Sequence, residues 1–184
     1  MRTSSSADKS HPSGVTALVY AAAFLTAALM LSLAEALLLP TGLLPIPGAK
    51  PGLANAAVLL CAKMLGRKYA AAVSFARVVL MFFLFGSATS FMYSLAGALC
   101  SFILISLILD LKIFSYLGKS MAAAVCHNLA QLFCATLIIG KAVLFLAPYM
   151  IISGVICGAF TGFILNLCAP ALNRAFPISL KKEK

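Results

Sequence analysis

Apolar residues form long, nearly uninterrupted runs along this chain, and the charged residues, prolines and glycines concentrate in short stretches between them. A run of about 20 mostly apolar residues is typical of a helix that crosses a membrane. The pattern therefore predicts an all-α integral membrane protein with six transmembrane helices. The predicted spans are residues 15–39, 53–65, 69–85, 88–109, 119–146 and 148–170, of which the second is short.

The two ends of the chain are polar, unlike the region between them. Residues 1–14 are rich in serine and predict a disordered cytoplasmic tail, whereas residues 171–184 form a basic cytoplasmic tail. Residues 15–170 then make one six-helix transmembrane domain. A cleaved signal peptide is an alternative for the first run, because Ala34–Glu35–Ala36 resembles a cleavage site. The length of the run favours a retained helix.

Basic residues mark every second junction between the predicted spans. The 66–68 turn contains Arg67 and Lys68, and the 110–119 loop contains Lys112 and Lys119. By contrast, the 40–52 loop has a single cation and residues 86–90 have none. Cytoplasmic loops of membrane proteins carry the excess of Lys and Arg, so both termini are predicted to be cytoplasmic. Six spans preserve this alternation, and five or seven would break it.

Composition supports a membrane protein and argues against several other classes. The 184 residues are 63% hydrophobic and 10% charged, whereas soluble domains are usually about 25% charged. The formal net charge of +10 does not indicate nucleic-acid binding, because the basic residues lie at the junctions. The six cysteines lie inside apolar runs and form no CxxC pair, so we expect buried thiols rather than disulfides or a zinc site.

Small residues four positions apart occur in the first and sixth runs, where they allow close approach of another helix. Glycine weakens a helix interior, so the glycine series predicts packing within the bundle. The alanines of the first run spread over more than one face, so one face can contact the bundle and another a partner subunit. The glycines are Gly154, Gly158 and Gly162, and the predicted partner-interface residues are Ala17, Ala21, Ala23 and Ala27.

A few polar and ionisable residues lie inside the spans, where such groups usually face the protein interior or a water-filled cavity. His127, Asn128 and Gln131 can share one helix face, either as hydrogen-bonding links between helices or as ligand contacts. Arg77 is a candidate anion binder, with pairing to Glu35 or to backbone carbonyls as the alternative. The predicted ligand-binding residues are Glu35, Lys50, Asn55, Arg77, His127, Asn128 and Gln131.

The stretch PIPGAKPGLAN, residues 45–55, is the only outer connection long enough to fold over a site. Proline restricts φ and glycine permits unusual values, so a defined irregular path is expected. Such backbone at membrane depth is tolerated where it lines a cavity. Free N–H groups at the start of the following helix, together with Lys50, would favour an anionic ligand, although a rigid surface turn is the alternative.

Motifs for catalysis are missing. Prenyl-transferring synthases need aspartate-rich motifs that hold magnesium and diphosphate, but the chain has only two aspartates, Asp8 and Asp110. It has no nucleotide-binding P-loop, serine elbow or HExxH motif. The sequence therefore predicts a protein that is not itself an enzyme and that uses no metal or cofactor.

Several segments resemble the bacterial Gx transporter family, which is often labelled heptaprenyl diphosphate synthase component I. They are LPTGLLPIPGAKPGLANAAVLL, SFARVVL around Arg77, FGSATSFMYSLAGALCS and AAAVCHNLAQL. The likeness covers roughly residues 15–170, and Cys126 replaces the small residue expected before His127. The family is in turn similar to the substrate-binding S components of energy-coupling factor (ECF) vitamin transporters.

This resemblance implies a six-helix bundle in the bacterial cytoplasmic membrane with a ligand site near the outer face. It also implies alanine-rich contacts from the first helix to a transmembrane coupling subunit, which works with ATPases. The cargo would be a small metabolite, such as a vitamin or a flavin or quinone precursor. The other hypothesis is a non-catalytic membrane component of heptaprenyl diphosphate synthase, bound to a soluble catalytic subunit through the basic cytoplasmic face.

Overall fold

The computed structural model describes residues 14–38, 50, 52–85 and 87–175. Most of the predicted 40–52 loop and residues 1–13 and 176–184 of the predicted tails lie outside these residues, whereas residues 171–175, which were predicted to begin the C-terminal tail, belong to the last helix. The described part of the chain is helical and contains no strand. Its helices are α1 (Gly14–Leu38), α2 (Asn55–Met64), α3 (Arg67–Phe85), α4 (Ala88–Ile108), α5 (Tyr116–Ile139) and α6 (Ala147–Ala175), with a 3₁₀ helix at Lys141–Leu146.

Five of the described helices are long and apolar enough to cross a membrane, and α2 is not. Ten residues extend about 15 Å, roughly half the hydrocarbon core. Nine of the ten are buried, and α2 contacts all five longer helices. The second predicted span, residues 53–65, is therefore a short buried helix in the structure, and the number of membrane crossings stays a prediction. An apolar helix surrounded by other helices needs no polar face, and this one occupies the centre of the bundle.

Local signals explain where α5 begins and ends. The Ser115 side chain accepts a hydrogen bond from the Gly118 N–H at 3.2 Å, so the helix starts before the predicted residue 119. Gly140 has a φ of +119°, a conformation that suits glycine and stops the helix. The predicted run 119–146 is thus divided between α5 and the 3₁₀ helix. The apolar run predicted a helix long enough to cross a membrane, and α5 is one. The run did not reveal the break at Gly140.

The glycine series of α6 packs within the bundle, as predicted. A Cβ on Gly158 would lie 2.5 Å from Met121 Cα, and one on Gly162 would lie 2.7 Å from Leu117 Cα. The backbones of α5 and α6 approach so closely that no side chain fits between them. One helical turn away, the hydroxyls of Ser120 and Thr161 are 2.7 Å apart and link the same two helices.

Two junctions predicted to be cytoplasmic meet at one end of the bundle. Arg67 at the start of α3 forms an ion pair of 2.7 Å with Asp110 after α4. Lys119 donates to the Leu109 carbonyl oxygen at 2.6 Å. At the opposite end, the Lys50 ammonium lies 5.6 Å from the centre of the Phe85 ring. The two basic junctions therefore lie at one end of the bundle and Lys50 at the other, in agreement with the predicted alternation of cytoplasmic and outer loops.

The alanines of α1 do not form one exposed surface. Ala17 and Ala21 are buried within the bundle, whereas Ala23 and Ala27 are exposed. Because α1 packs against α2 and α3, the first pair belongs to the face that it turns towards them. The prediction of a partner interface therefore needs correction for Ala17 and Ala21. For Ala23 and Ala27 it stays a prediction.

Candidate functional site

A small polar cavity lies between α1, α3, α4, α5 and the segment before α2. Its volume is about 10 Å³, close to the least space that one water molecule needs. Six of its eight lining residues are polar or charged, which is unusual for the interior of a membrane bundle. The lining residues are Ser32, Glu35, Lys50, Arg77, Val78, Met81, Ser94 and His127.

Arg77 enters the cavity from α3 and is 4% exposed. Its Nη1 donates to Ser32 Oγ of α1 at 3.3 Å. Its Nε and Nη2 are buried and have no hydrogen-bond partner among the described residues. The alternative of pairing with Glu35 is not observed, since the ion pair of the described residues is Arg67–Asp110. Arg77 therefore presents an unpaired pair of donors in the interior of the bundle.

Glu35 connects α1 to the start of α2. Its Oε1 accepts a hydrogen bond from the Leu53 backbone N–H, while Oε2 is buried without a partner among the described residues. This arrangement bears on the prediction that free N–H groups at the start of α2 face an anionic ligand. The Leu53 N–H is already bound to Glu35, Asn55 N donates to the Gly52 carbonyl oxygen, and Ala56 N donates to that of Leu53. These donors are not free for an anionic ligand.

Lys50 forms the least enclosed part of the cavity wall, because its side chain is only half-buried. Its backbone N–H donates to Gln131 Oε1 of α5 at 3.0 Å, which holds this point of the loop over the cavity. Burial lowers the pKa of Lys50 below its usual value. The carboxylate of Glu35 opposes this shift, and the nearby charge of Arg77 adds to it.

His127 lies between two glycines that the sequence analysis missed. A Cβ on Gly97 of α4 would lie 2.6 Å from His127 Cε1, and one on Gly52 would lie 3.2 Å from Cδ2. Gly52 also has a φ of +89°, consistent with the irregular path predicted for the loop. His127 Nε2 is 2.7 Å from Gln131 Nε2, one turn along α5. Gly97, Gly52 and Gln131 therefore together restrict the position of the imidazole ring.

Asn55 and Asn128 are buried outside the cavity wall. Asn55 Oδ1 accepts from Ser101 Oγ of α4 at 3.4 Å. Asn128 Nδ2 donates to the Met150 carbonyl oxygen at 2.9 Å and to Ser153 Oγ at 3.1 Å. Asn128 therefore links α5 to α6, which is the alternative role considered for it. Gln131 likewise lies behind the wall, where it contacts His127 and Lys50.

The structure thus brings together most of the predicted site. Glu35, Lys50, Arg77 and His127 line one cavity. Four further lining residues were not predicted, namely Ser32, Val78, Met81 and Ser94. Helical spacing offered a signal for two of them, since Ser32 is three residues from Glu35 and Met81 follows Arg77 by four, whereas Val78 is adjacent to Arg77 and residues one apart do not share a face. Ser94 had no such neighbour on α4. Whether these residues bind a ligand stays a prediction.

Within the described ranges, no group of three His, Cys, Asp or Glu side chains is placed to hold a metal ion. The charged side chains of the cavity are one carboxylate and two cations. Such a wall can recognise a polar ligand through hydrogen bonds and charge.

Comparison with known proteins identifies a family over most of the chain. The family model described as heptaprenyl diphosphate synthase component I matches residues 24–168. This range begins in α1 and ends in α6, so it includes every residue that lines the cavity. No curated protein and no solved structure matches the chain.

Proposed function

The chain belongs to the heptaprenyl diphosphate synthase component I family, and on that premise we propose that it is the substrate-binding membrane subunit of an ECF-type transporter. It captures a small metabolite at the outer face of the bacterial cytoplasmic membrane for uptake. One observation carries this proposal. Charged and polar side chains from four helices and from Lys50 converge on one cavity, while several of their polar atoms have no partner among the described residues.

The energetics of buried charges support a binding role. A buried ionic group is costly unless it is paired and hydrogen-bonded. A purely structural arrangement would satisfy Arg77 and Glu35 with each other, but each retains atoms at the cavity that no described residue binds. A ligand that completes these hydrogen bonds would recover the cost, so the arrangement suits a site that is filled during function.

The cavity is less suited to prenyl transfer. Magnesium and diphosphate need several oxygen ligands from acidic residues. Among the described side chains of the cavity, Glu35 is the one carboxylate. Asp110 is at the other end of α4 and is paired with Arg67. In the proposed role the chain binds cargo and does not catalyse a reaction.

The proposed partners are a transmembrane coupling subunit and the ATPases that power it. The exposed alanines of α1, Ala23 and Ala27, are candidates for the contact with the coupling subunit. Small side chains at this spacing let a second helix approach closely. They lie on α1, the same helix that supplies Glu35 to the cavity, so movement of α1 would couple the two sites.

A second candidate is a non-catalytic membrane component of heptaprenyl diphosphate synthase, which the family description favours. It would contact a soluble, aspartate-rich subunit through the end of the bundle that carries Arg67 and Lys119. Affinity purification from the native membrane separates the two candidates. Coupling and ATPase subunits in the eluate would support transport, and a soluble prenyl synthase subunit would support the second candidate.

Mass spectrometry of small molecules that copurify with the solubilised protein tests the capture role directly. We expect a stoichiometric polar metabolite that is lost in Arg77→Ala. Arg67→Ala is the matched control, because Arg67 is exposed at the other end of α3. An empty wild-type protein, or one that carries only prenyl lipids, would contradict the capture role.

A further inference from the structure

The unpaired atoms of the cavity have a pattern that identifies a class of ligand, on the basis of the capture role proposed above. Arg77 uses Nη1 to bind Ser32, and its Nε and Nη2 have no partner in the part of the chain that the structure describes. In a planar guanidinium, the N–H bonds of Nε and Nη2 point in the same direction and form a two-pronged donor. This edge matches the two oxygens of a carboxylate or phosphate.

Glu35 offers a hydrogen-bond acceptor to the same cavity, whereas Arg77 offers donors. Its Oε1 is bound to the Leu53 N–H, and its Oε2 is a buried acceptor without a partner among the described residues. A ligand donor, N–H or O–H, would satisfy this atom. Glu35 and Arg77 line the same small cavity, so the ligand needs an acceptor group and a donor group close to each other.

The formal charge of the cavity wall limits the charge of the ligand. Lys50 and Arg77 are cationic and Glu35 is anionic, which leaves one positive charge in excess. A monoanion balances this charge, whereas a phosphate dianion exceeds it. Because the cavity is buried, the ligand charge must match the wall charge closely: uncompensated charge is costly in a low-dielectric interior.

We propose that the open edge of Arg77 and the free Oε2 of Glu35 recognise a small monoanionic carboxylate that also carries an N–H or O–H donor. The carboxylate binds Nε and Nη2 of Arg77, and the donor binds Glu35. In the described conformation the cavity has room for about one water molecule. Lys50 provides the extra space by reorienting its long, half-buried side chain, while its ammonium stays beside the bound carboxylate.

Small carboxylates test this inference without knowledge of the natural cargo. The thermal unfolding midpoint of the purified protein is measured in formate, chloride and inorganic phosphate at equal ionic strength. We expect formate to raise the midpoint above chloride by about 2–4 °C once it exceeds its Kd about fivefold. Arg77→Lys should abolish the difference, because an ammonium lacks the planar edge, and Arg67→Lys should retain it.

The donor requirement is tested with two isosteric monoanions, glycolate and propionate, of which only glycolate carries a hydroxyl next to the carboxylate. Glycolate should stabilise the wild type more than propionate, and Glu35→Gln should reduce the difference. Equal midpoints in formate and chloride for the wild-type protein would overturn the inference and indicate a site for a structural water only. A larger effect of phosphate than of formate would also overturn it. These wild-type comparisons hold even where a variant fails to fold.

The outcome is distinguishable from failure of the proposed function. A copurifying metabolite without a carboxylate, lost in Arg77→Ala, would support capture and contradict the inferred ligand class. Stabilisation by formate in a protein that carries no metabolite and copurifies with a synthase subunit would support the carboxylate site and contradict the transport role.

Discussion

Gly97 of α4 lies against the imidazole of His127 of α5, and a Cβ at Gly97 would be within 2.6–2.8 Å of three ring atoms. This contact sets the position of His127, which lines the cavity and is 2.7 Å from the Gln131 amide nitrogen. Gln131 in turn accepts the backbone N–H of Lys50. A glycine, which has no side chain, therefore controls a connected set of contacts from α4 to the loop.

Gly97→Ala should displace His127 and disturb this set. Overpacking of a tight interior typically costs about 1–3 kcal/mol, so we expect a lower unfolding midpoint and weaker binding of the copurifying metabolite. Gly118→Ala is a matched control, since a Cβ there would make only an ordinary contact of 3.4 Å with Phe114. Unchanged midpoint and occupancy in Gly97→Ala would show that His127 can move without consequence.

Asn128 and Gln131 should give different phenotypes although they are three residues apart. Asn128→Ala removes the links to Met150 and Ser153, so the folded state should lose about 1–2 kcal/mol while binding by the folded protein is retained. Gln131→Ala releases the Lys50 N–H and should weaken binding several-fold. Thermal unfolding and metabolite occupancy, measured on both variants, separate the roles. A selective loss of binding in Asn128→Ala would restore Asn128 to the site.

Binding of an anionic carboxylate should weaken as the pH rises through the Lys50 pKa. Burial lowers that pKa from its ordinary value of 10.5, and deprotonation removes a positive charge beside the ligand. The loss should therefore occur at a lower pH than for an exposed lysine. Formate-dependent stabilisation, followed from neutral to alkaline pH, measures it. Lys50→Arg should extend binding to higher pH, because arginine stays protonated. Identical profiles for the two proteins would exclude Lys50 from the charge balance.

The exposed and buried alanines of α1 should respond differently to enlargement. Ala23→Leu combined with Ala27→Leu should abolish copurification of a coupling subunit and leave the unfolding midpoint unchanged, because both positions are exposed. Ala21→Leu should lower the midpoint, since Ala21 is buried in the core. If a coupling subunit still copurifies with the double variant, its contact lies on another face of the bundle.

Long-range apolar pattern was enough to predict the membrane helices, because the bilayer requires a minimum length of apolar helix. It did not distinguish α2, an apolar helix of ten residues that is buried among the other helices, from a helix that crosses the membrane. Protein neighbours and lipid present similar apolar surroundings to a helix. A run of apolar residues therefore does not reveal whether it crosses the membrane or lies buried at the centre of the bundle.

The sequence by itself determined which ionisable side chains had to be accommodated in the interior, since charges such as Glu35 and Arg77 are rare and costly in apolar runs. Only the tertiary structure decided how they are used. It turned Asn128 towards α6 and placed Gly97 against His127. It also brought the Nε and Nη2 of Arg77 and the Oε2 of Glu35 to one cavity, where no described residue pairs with them. These relationships depend on contacts between helices far apart along the chain, which residue spacing within one helix does not specify.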